Sequence, residues 1–243
     1  RDMTEKLQAI VLSLVRHNDR SVILNVYTPD RGRVPLLMTM GSGRAARMKA
    51  AQTMPLAQIE FSCNFQAARE LQRPSGIAPL YTYRDLYFHP VKNAVGIFLA
   101  EFLNRLLRDS VPDPAVFGFI AESLRLYDVL DTHVADFHIV LLAQLATFMG
   151  IAPDTGTYAP GSVFDMRSGR YSGMLPGHPD ILTGIEARLP LLLSRLNFAN
   201  MSALRLSRHD RAALLAGLLR YWGLHYPGLN NLKSPGVLAQ LFD

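Results

Sequence analysis

Apolar and polar positions over the first 80 residues alternate in short runs of β-branched and aliphatic side chains. Residues 7–15 and 21–28 read as two strands joined by the polar cluster Arg16-His17-Asn18-Asp19-Arg20. Pro29-Asp30-Arg31-Gly32 reads as a tight turn, with Gly32 free to take positive φ. A third strand covers 33–40, and Pro35 puts it at an edge or a bulge. Residues 41–53 are polar, basic and glycine-containing, and are expected to be a loop. Two more strands are expected around 56–65 and 70–77. In the first of these, Ile59, Phe61 and Cys63 alternate with Glu60, Ser62 and Asn64, which predicts one buried face and one wet face. Five short strands in so few residues are best closed into a small barrel of the oligonucleotide-binding (OB) type, which removes open sheet edges.

From about residue 84 the period becomes helical. Pro90 opens a helix with Val91, Val95, Phe98, Phe102 and Leu106 on its apolar side. Asp113-Pro114 is a cap and first-turn proline for a second helix through Phe117, Ile120, Leu124 and Tyr127. Thr132 is expected to cap a third helix, which ends at Gly150. Residues 151–182 are rich in Gly and Pro and irregular, with a hairpin expected around Ser168-Gly169. Thr183-x-x-Glu186 has the form of a capping box, although Pro190 should kink or split its helix. Ser207-x-x-Asp210 and Ser234-Pro235 start two further helices. The expected class is therefore α+β, with a barrel over 1–80 and a mostly helical domain over 81–243.

The 243 residues are 49% hydrophobic and 19% charged, a composition that buries a core. No window approaches the roughly 18 unbroken apolar residues of a membrane span. Asp2, Glu5 and Lys6 flank only a short apolar run, so no signal-peptide pattern is visible and a cytoplasmic location is expected. Cys63 is the only cysteine and reads as a small core hydrophobe. It rules out an intramolecular disulfide and a four-cysteine zinc site. The net charge of +5 is unevenly spread: residues 1–80 hold 11 Lys/Arg against 6 Asp/Glu, whereas residues 81–243 hold 14 of each. A basic first domain suits a polyanion, or merely a soluble surface, and charge alone does not choose between them.

No phosphate loop, dinucleotide fingerprint, nucleophile elbow or His-Glu-x-x-His motif is present, and no cofactor is expected. His133 and His138, five apart, have poor spacing for one metal on one helix face. Asp128 and Asp131 read as a solvated helix face. The better constellation is basic. Arg16 and Arg20 flank the first turn, and Arg31 and Arg33 the second. Arg44, Arg47 and Lys49 lie in the 41–53 connection, and Arg69 and Arg73 near the last strand. Strand-end loops of a barrel can converge on one rim, and guanidinium forks match phosphate oxygens. Tyr27, Phe61 and Phe65 are candidates to stack on bases, with barrel core as the competing role. Arg205, Arg208, His209, Arg211 and Arg220 form a second basic stretch, suited to nucleic acid, to an acidic peptide or simply to solvent.

Leu7-Gln8-Ala9-Ile10-Val11-Leu12, Asn18-Asp19-Arg20-Ser21-Val22, Tyr27-Thr28-Pro29-Asp30-Arg31-Gly32-Arg33 and Gly41-Ser42-Gly43-Arg44 follow one another in an order that resembles the RecO family of bacterial recombination mediators. The likeness continues with Pro90-Val91-Lys92, Phe98-Leu99-Ala100-Glu101, Pro112-Asp113-Pro114, Phe137-His138, Asn197-Phe198, Ser207-Arg208, Leu232-Lys233-Ser234 and Leu241-Phe242-Asp243, as in Bacteroidetes-type members. The resemblance implies binding of single- and double-stranded DNA, strand annealing and a complex with RecR. It also implies contact with the acidic, hydrophobic tail of single-strand binding protein, so that RecA can load. Arg205, Arg208 and Lys233 are the candidates for holding that tail. Many members carry a four-cysteine zinc site after the third helix. Residues 151–175 here have no cysteine, so this region is expected to hold together by packing through Tyr158, Phe164 and Tyr171. A protein-only scaffold and a nuclease-like enzyme remain as alternatives.

Overall fold

The structure, a computed structural model, describes residues 4–241. Asp2, Phe242 and Asp243, which entered the sequence reading, lie outside the described residues. The chain divides into two compact units, one running to Leu130 and including Leu232–Leu241, the other Asp131–Asn231.

In the first unit the alternating segments form strands β1 (Glu5–Asn18), β2 (Ser21–Thr28), β3 (Gly32–Thr39), β4 (Gln58–Cys63) and β5 (Pro74–Tyr81). All neighbours are antiparallel, in the order β3-β2-β1-β4-β5. Gln72 closes the sheet on itself: Leu37 N–H donates to the Gln72 carbonyl (2.7 Å), and Gln72 N–H donates to the Pro35 carbonyl (3.0 Å). The result is a five-stranded OB-type barrel. Inward positions fill it with Leu7, Ala9, Val11, Leu24, Val26, Val34, Leu36, Ile59, Phe61 and Cys63. Gly32 takes φ +63 in the β2–β3 turn, as that turn requires.

The 41–53 connection is not a loop. It contains helix α1 (Gly43–Gln52), and none of the residues of this helix is buried. A helix without a buried face shows no apolar period, so only the helix propensity of its Ala, Arg, Met, Lys and Gln residues announced it. The last strand starts four residues later than expected, because Gln72 organises 66–72 as a loop. Its side chain accepts from Gln66 N–H and donates to the carbonyls of Gln66 and Arg69.

Helices α2 (Pro90–Leu106) and α3 (Pro114–Val129) complete this unit with α7 (Ser234–Leu241). The Asp113 carboxylate caps α3 by accepting from Ala115 and Val116 N–H. Glu101 on α2 fixes the start of α7, accepting from the backbone N–H groups of Lys233 and Ser234 and from the Ser234 hydroxyl.

The second unit contains α4 (Phe137–Phe148), α5 (Leu189–Arg195) and α6 (Arg208–His225). The N-cap of α4 is Asp136, four residues beyond the expected Thr132, while Ser207 caps α6 as expected by accepting from Asp210 N–H. Pro190 sits in the first turn of α5, where its missing N–H costs nothing; a separate 3-10 turn carries Glu186. The irregular 151–182 region holds a small sheet of β6 (Val163–Asp165), β7 (Arg170–Ser172) and β8 (Ile181–Leu182), in the order β7-β6-β8. The Asp165 carboxylate holds the Ser168-Gly169 turn, accepting from Arg167 N–H and from the Ser168 hydroxyl (both 2.9 Å). Phe164, Met166, Tyr171 and Tyr221 form the core behind it, with Tyr158 edge-on to Tyr171. Arg167 and Arg220 both pair with Asp180 at 2.7 Å. Aromatic packing and ion pairs together hold this region.

Candidate nucleic-acid interface

The antiparallel order separates the nine basic residues into two groups. Asn18, Ser21 and Thr39 line up across β1, β2 and β3 at one end of the barrel. Glu5, Cys63 and Pro74 line up across β1, β4 and β5 at the other. The expectation of a single converging rim is therefore corrected. Successive strands of this sheet run in opposite directions, so the β1–β2 turn and the β3–β4 connection share one end. The β2–β3 turn and the β4–β5 loop share the other.

The first end gathers Arg16, Arg20, Arg44, Arg47 and Lys49. Met40 N–H donates to the Arg20 carbonyl (2.8 Å), which ties the β1–β2 turn to the approach to α1. Lys49 donates to the Thr39 carbonyl (3.0 Å), and Arg16 pairs with the exposed Asp19 (2.6 Å). Arg20, Arg44 and Arg47 are exposed and make no ion pair with any described residue. Arg44 and Arg47, three apart on α1, share a face with the exposed Met48. Asp19 is the sole carboxylate in the turn and in the whole 40–57 stretch.

At the second end, the segments that carry Arg31, Arg33, Arg69 and Arg73 also hold Glu5, Asp30 and Glu70. Arg31 grips Glu5 through Nε (2.9 Å) and Nη2, and its guanidinium lies 4.0 Å from the centre of the Phe65 ring. The Arg31 hydrogen bond holds the Glu5 carboxyl below its ordinary range. Arg33 donates to the Asn104 carbonyl (2.8 Å), close to the C-terminus of α2, where a cation complements the helix dipole. Burial and the neighbouring charge of Arg108 lower the Arg33 pKa. Arg69 and Arg73 are exposed and make no ion pair with any described residue.

Of the three stacking candidates, Tyr27 and Phe61 are core residues, each 1% exposed, and Phe65 lies half-buried under Arg31. The outer side of β1–β2 is partly covered within the same unit: Asn25 donates to Ser13, Ser13 to Asn104, and the Tyr27 ring packs against Phe117.

Asp128 is not a solvated residue. It is fully buried, and its carboxylate accepts from the backbone N–H groups of Arg84, Asp85 and Leu86 (2.8 Å each) and from the Tyr81 hydroxyl (3.2 Å). Lys92, 1% exposed, donates to the Asp128 carbonyl (2.7 Å) and lies 3.6 Å from Asp85. These partners are 36 to 47 residues away, so nothing local in the sequence reveals them.

In the second unit, Arg205 and Arg208 are exposed just ahead of and at the start of α6; Lys233 belongs to the first unit and is also exposed. A cavity of about 310 Å³ in the second unit is lined mainly by apolar side chains, including Leu189, Leu193, Leu218 and Trp222, with Gln144, Arg195 and Asn197 among its polar groups. His138 is buried, and burial followed by the charge of Arg211 pushes its pKa down to about 3, so the ring is neutral. Among the described residues no group of three or more His, Cys, Asp or Glu could hold a metal ion, and no helix is long and apolar enough to cross a membrane.

Two family models match the chain: Recombination protein O N terminal over residues 3–83 and Recombination protein O C terminal over residues 88–235. The boundary between them falls between the barrel and α2. Proteins named DNA repair protein RecO from Phocaeicola vulgatus and Bacteroides fragilis are each 33% identical to it, over 99% of this chain and 100% of theirs. The protein of that name from Flavobacterium psychrophilum is 27% identical over the same shares. With both domains matched in order and relatives aligned from end to end, the chain belongs to the RecO family of DNA repair and recombination proteins.

Proposed function

We propose that this protein is a non-catalytic recombination mediator. It binds single- and double-stranded DNA, anneals complementary strands and acts with RecR to load the recombinase RecA onto strands coated by single-strand binding protein. The observation that carries the reading is the first end of the barrel. Arg20, Arg44 and Arg47 project there without an ion pair to any described residue, beside Arg16 and Lys49 and opposed in sequence by Asp19 alone. Phosphates would supply the missing partners and release counterions. Arg69 and Arg73 extend the contact at the second end. For the tail of single-strand binding protein, the second unit offers an apolar cavity with Arg195 in its lining, and Arg205 and Arg208 add positive charge to that unit; Lys233 is the candidate contributed by the first unit. The setting is the cytoplasm, at the nucleoid.

Fluorescence transfer between complementary labelled strands tests this reading. Annealing should accelerate when the protein is added, without nucleotide or metal, and slow as salt rises. Absence of DNA association at low salt, with partner binding retained, would favour a protein-only scaffold. Strand cleavage in magnesium would favour an enzyme.

A further inference from the structure

With Tyr27 and Phe61 in the core and Phe65 under Arg31, the aromatic surface a single strand needs has to lie elsewhere. Phe88 is 78% exposed. It immediately precedes His89, the N-cap of α2. An apolar residue at that position ordinarily packs against an apolar residue four positions into the helix. Here that residue is Asn93, so the usual local partner of the ring is missing.

The backbone beneath the ring is nonetheless fixed. Phe88 N–H donates to the Asp85 carbonyl (2.9 Å), and Asp85 and Leu86 are bonded to buried Asp128. On the other side of the turn, the Tyr87 hydroxyl donates to the Pro55 carbonyl (2.9 Å). Ordering this segment on binding therefore costs little.

Tyr87, the neighbour of Phe88 in the chain, belongs to an apolar cleft. Met54 and Ile97, both exposed, line a shallow cleft of about 70 Å³ with Pro55, Leu86, Tyr87 and Asn93. Met54 stands two residues beyond the end of α1, the helix that carries Arg44 and Arg47. Ten helical residues span about 15 Å, enough to face several consecutive phosphates of one strand.

We infer that Phe88 is a stacking platform for an unpaired nucleobase, continuing over Met54 and Ile97 a path whose phosphates lie on α1. This rests on the DNA-binding reading above and adds selectivity to it. Phosphate contacts do not distinguish one strand from two. A ring that needs an open base face does, because both faces of a paired base are covered in the duplex. Such a contact tolerates any base sequence.

The test titrates a fluorescein-labelled oligothymidylate, and its duplex with oligoadenylate, at several salt concentrations. Phe88→Ala should weaken single-strand binding about fivefold or more, the loss of roughly one stacked base. Duplex affinity, the salt slope and the unfolding temperature should stay at wild-type values, because the ring is uncharged and exposed. Phe88→Trp adds an exposed indole to buried Trp222, and its fluorescence should be quenched by the single strand and not by the duplex. Unchanged single-strand affinity with no quenching overturns the inference while leaving DNA binding intact, and assigns the ring to an apolar protein segment. Equal loss on both DNAs also overturns it. If wild type binds neither DNA, the DNA-binding reading itself falls, and this inference with it.

Discussion

The two ends of the barrel carry similar numbers of cations and differ in what those cations face. At one end, five basic residues have Asp19 as the only carboxylate in their segments; at the other, four arginines have Glu5, Asp30 and Glu70 in theirs. The positive excess that the sequence shows for the first 80 residues is therefore concentrated on the β1–β2 turn and α1. Charge counted along a chain measures neither surface potential nor availability. Arg33 shows this best, since its guanidinium serves the last turn of α2. Arg31 is held twice, by a carboxylate and by a ring.

Removing partners from held charges tests one side of this contrast. The largest effect is expected at the most deeply held charge. Asp128→Ala leaves the backbone N–H groups of Arg84, Asp85 and Leu86 and the Tyr81 hydroxyl without their acceptor, while Lys92 keeps the Asp128 carbonyl. It should cost about 3–5 kcal/mol, read from denaturant unfolding. A loss under 1 kcal/mol would mean that Asp128 does not organise the 84–86 turn. Next, Arg33→Ala should cost about 1–2 kcal/mol through the lost bond to Asn104, with the salt dependence of DNA binding unchanged. A flatter salt slope would instead put Arg33 on phosphate.

The smallest effect is expected from releasing Arg31. Glu5→Gln removes its carboxylate partner and should raise DNA affinity no more than about threefold, since the cation still lies against Phe65. Acid should do the same in wild type. The Glu5 carboxyl titrates below its ordinary value, so the pair is intact above the usual carboxylate range and is lost as pH falls through that lowered value. Affinity in Glu5→Gln should therefore show less change over that acid range than in wild type; an equal change in both would assign the effect to other groups.

The barrel was legible because its strands alternate on a half-buried sheet: Ile59, Phe61 and Cys63 read as inward and are inward. The caps Asp113 and Ser207 were legible because capping is local. Helix α1 was missed because it buries nothing, although its composition favours a helix. Asp128 was misread because its partners come from 36 to 47 residues upstream. The split of the basic residues could have been found by counting strands, since alternate connections between strands of opposite direction share an end. Phe88 left a fainter signal: an aromatic before a helix cap with Asn93, a polar residue, where a staple partner belongs.

The measurement that tests the central claim most directly is anisotropy of labelled single-stranded DNA across a salt series. It would compare wild type with Arg44→Ala/Arg47→Ala and with Arg31→Ala/Arg33→Ala. If the under-compensated end holds DNA, the first pair should weaken binding by on the order of 30- to 100-fold near 0.1 M salt and lower the salt slope by about two, while the second leaves the slope within about half a unit of wild type. Equal slopes in all three proteins, or a loss confined to the second pair, would contradict it.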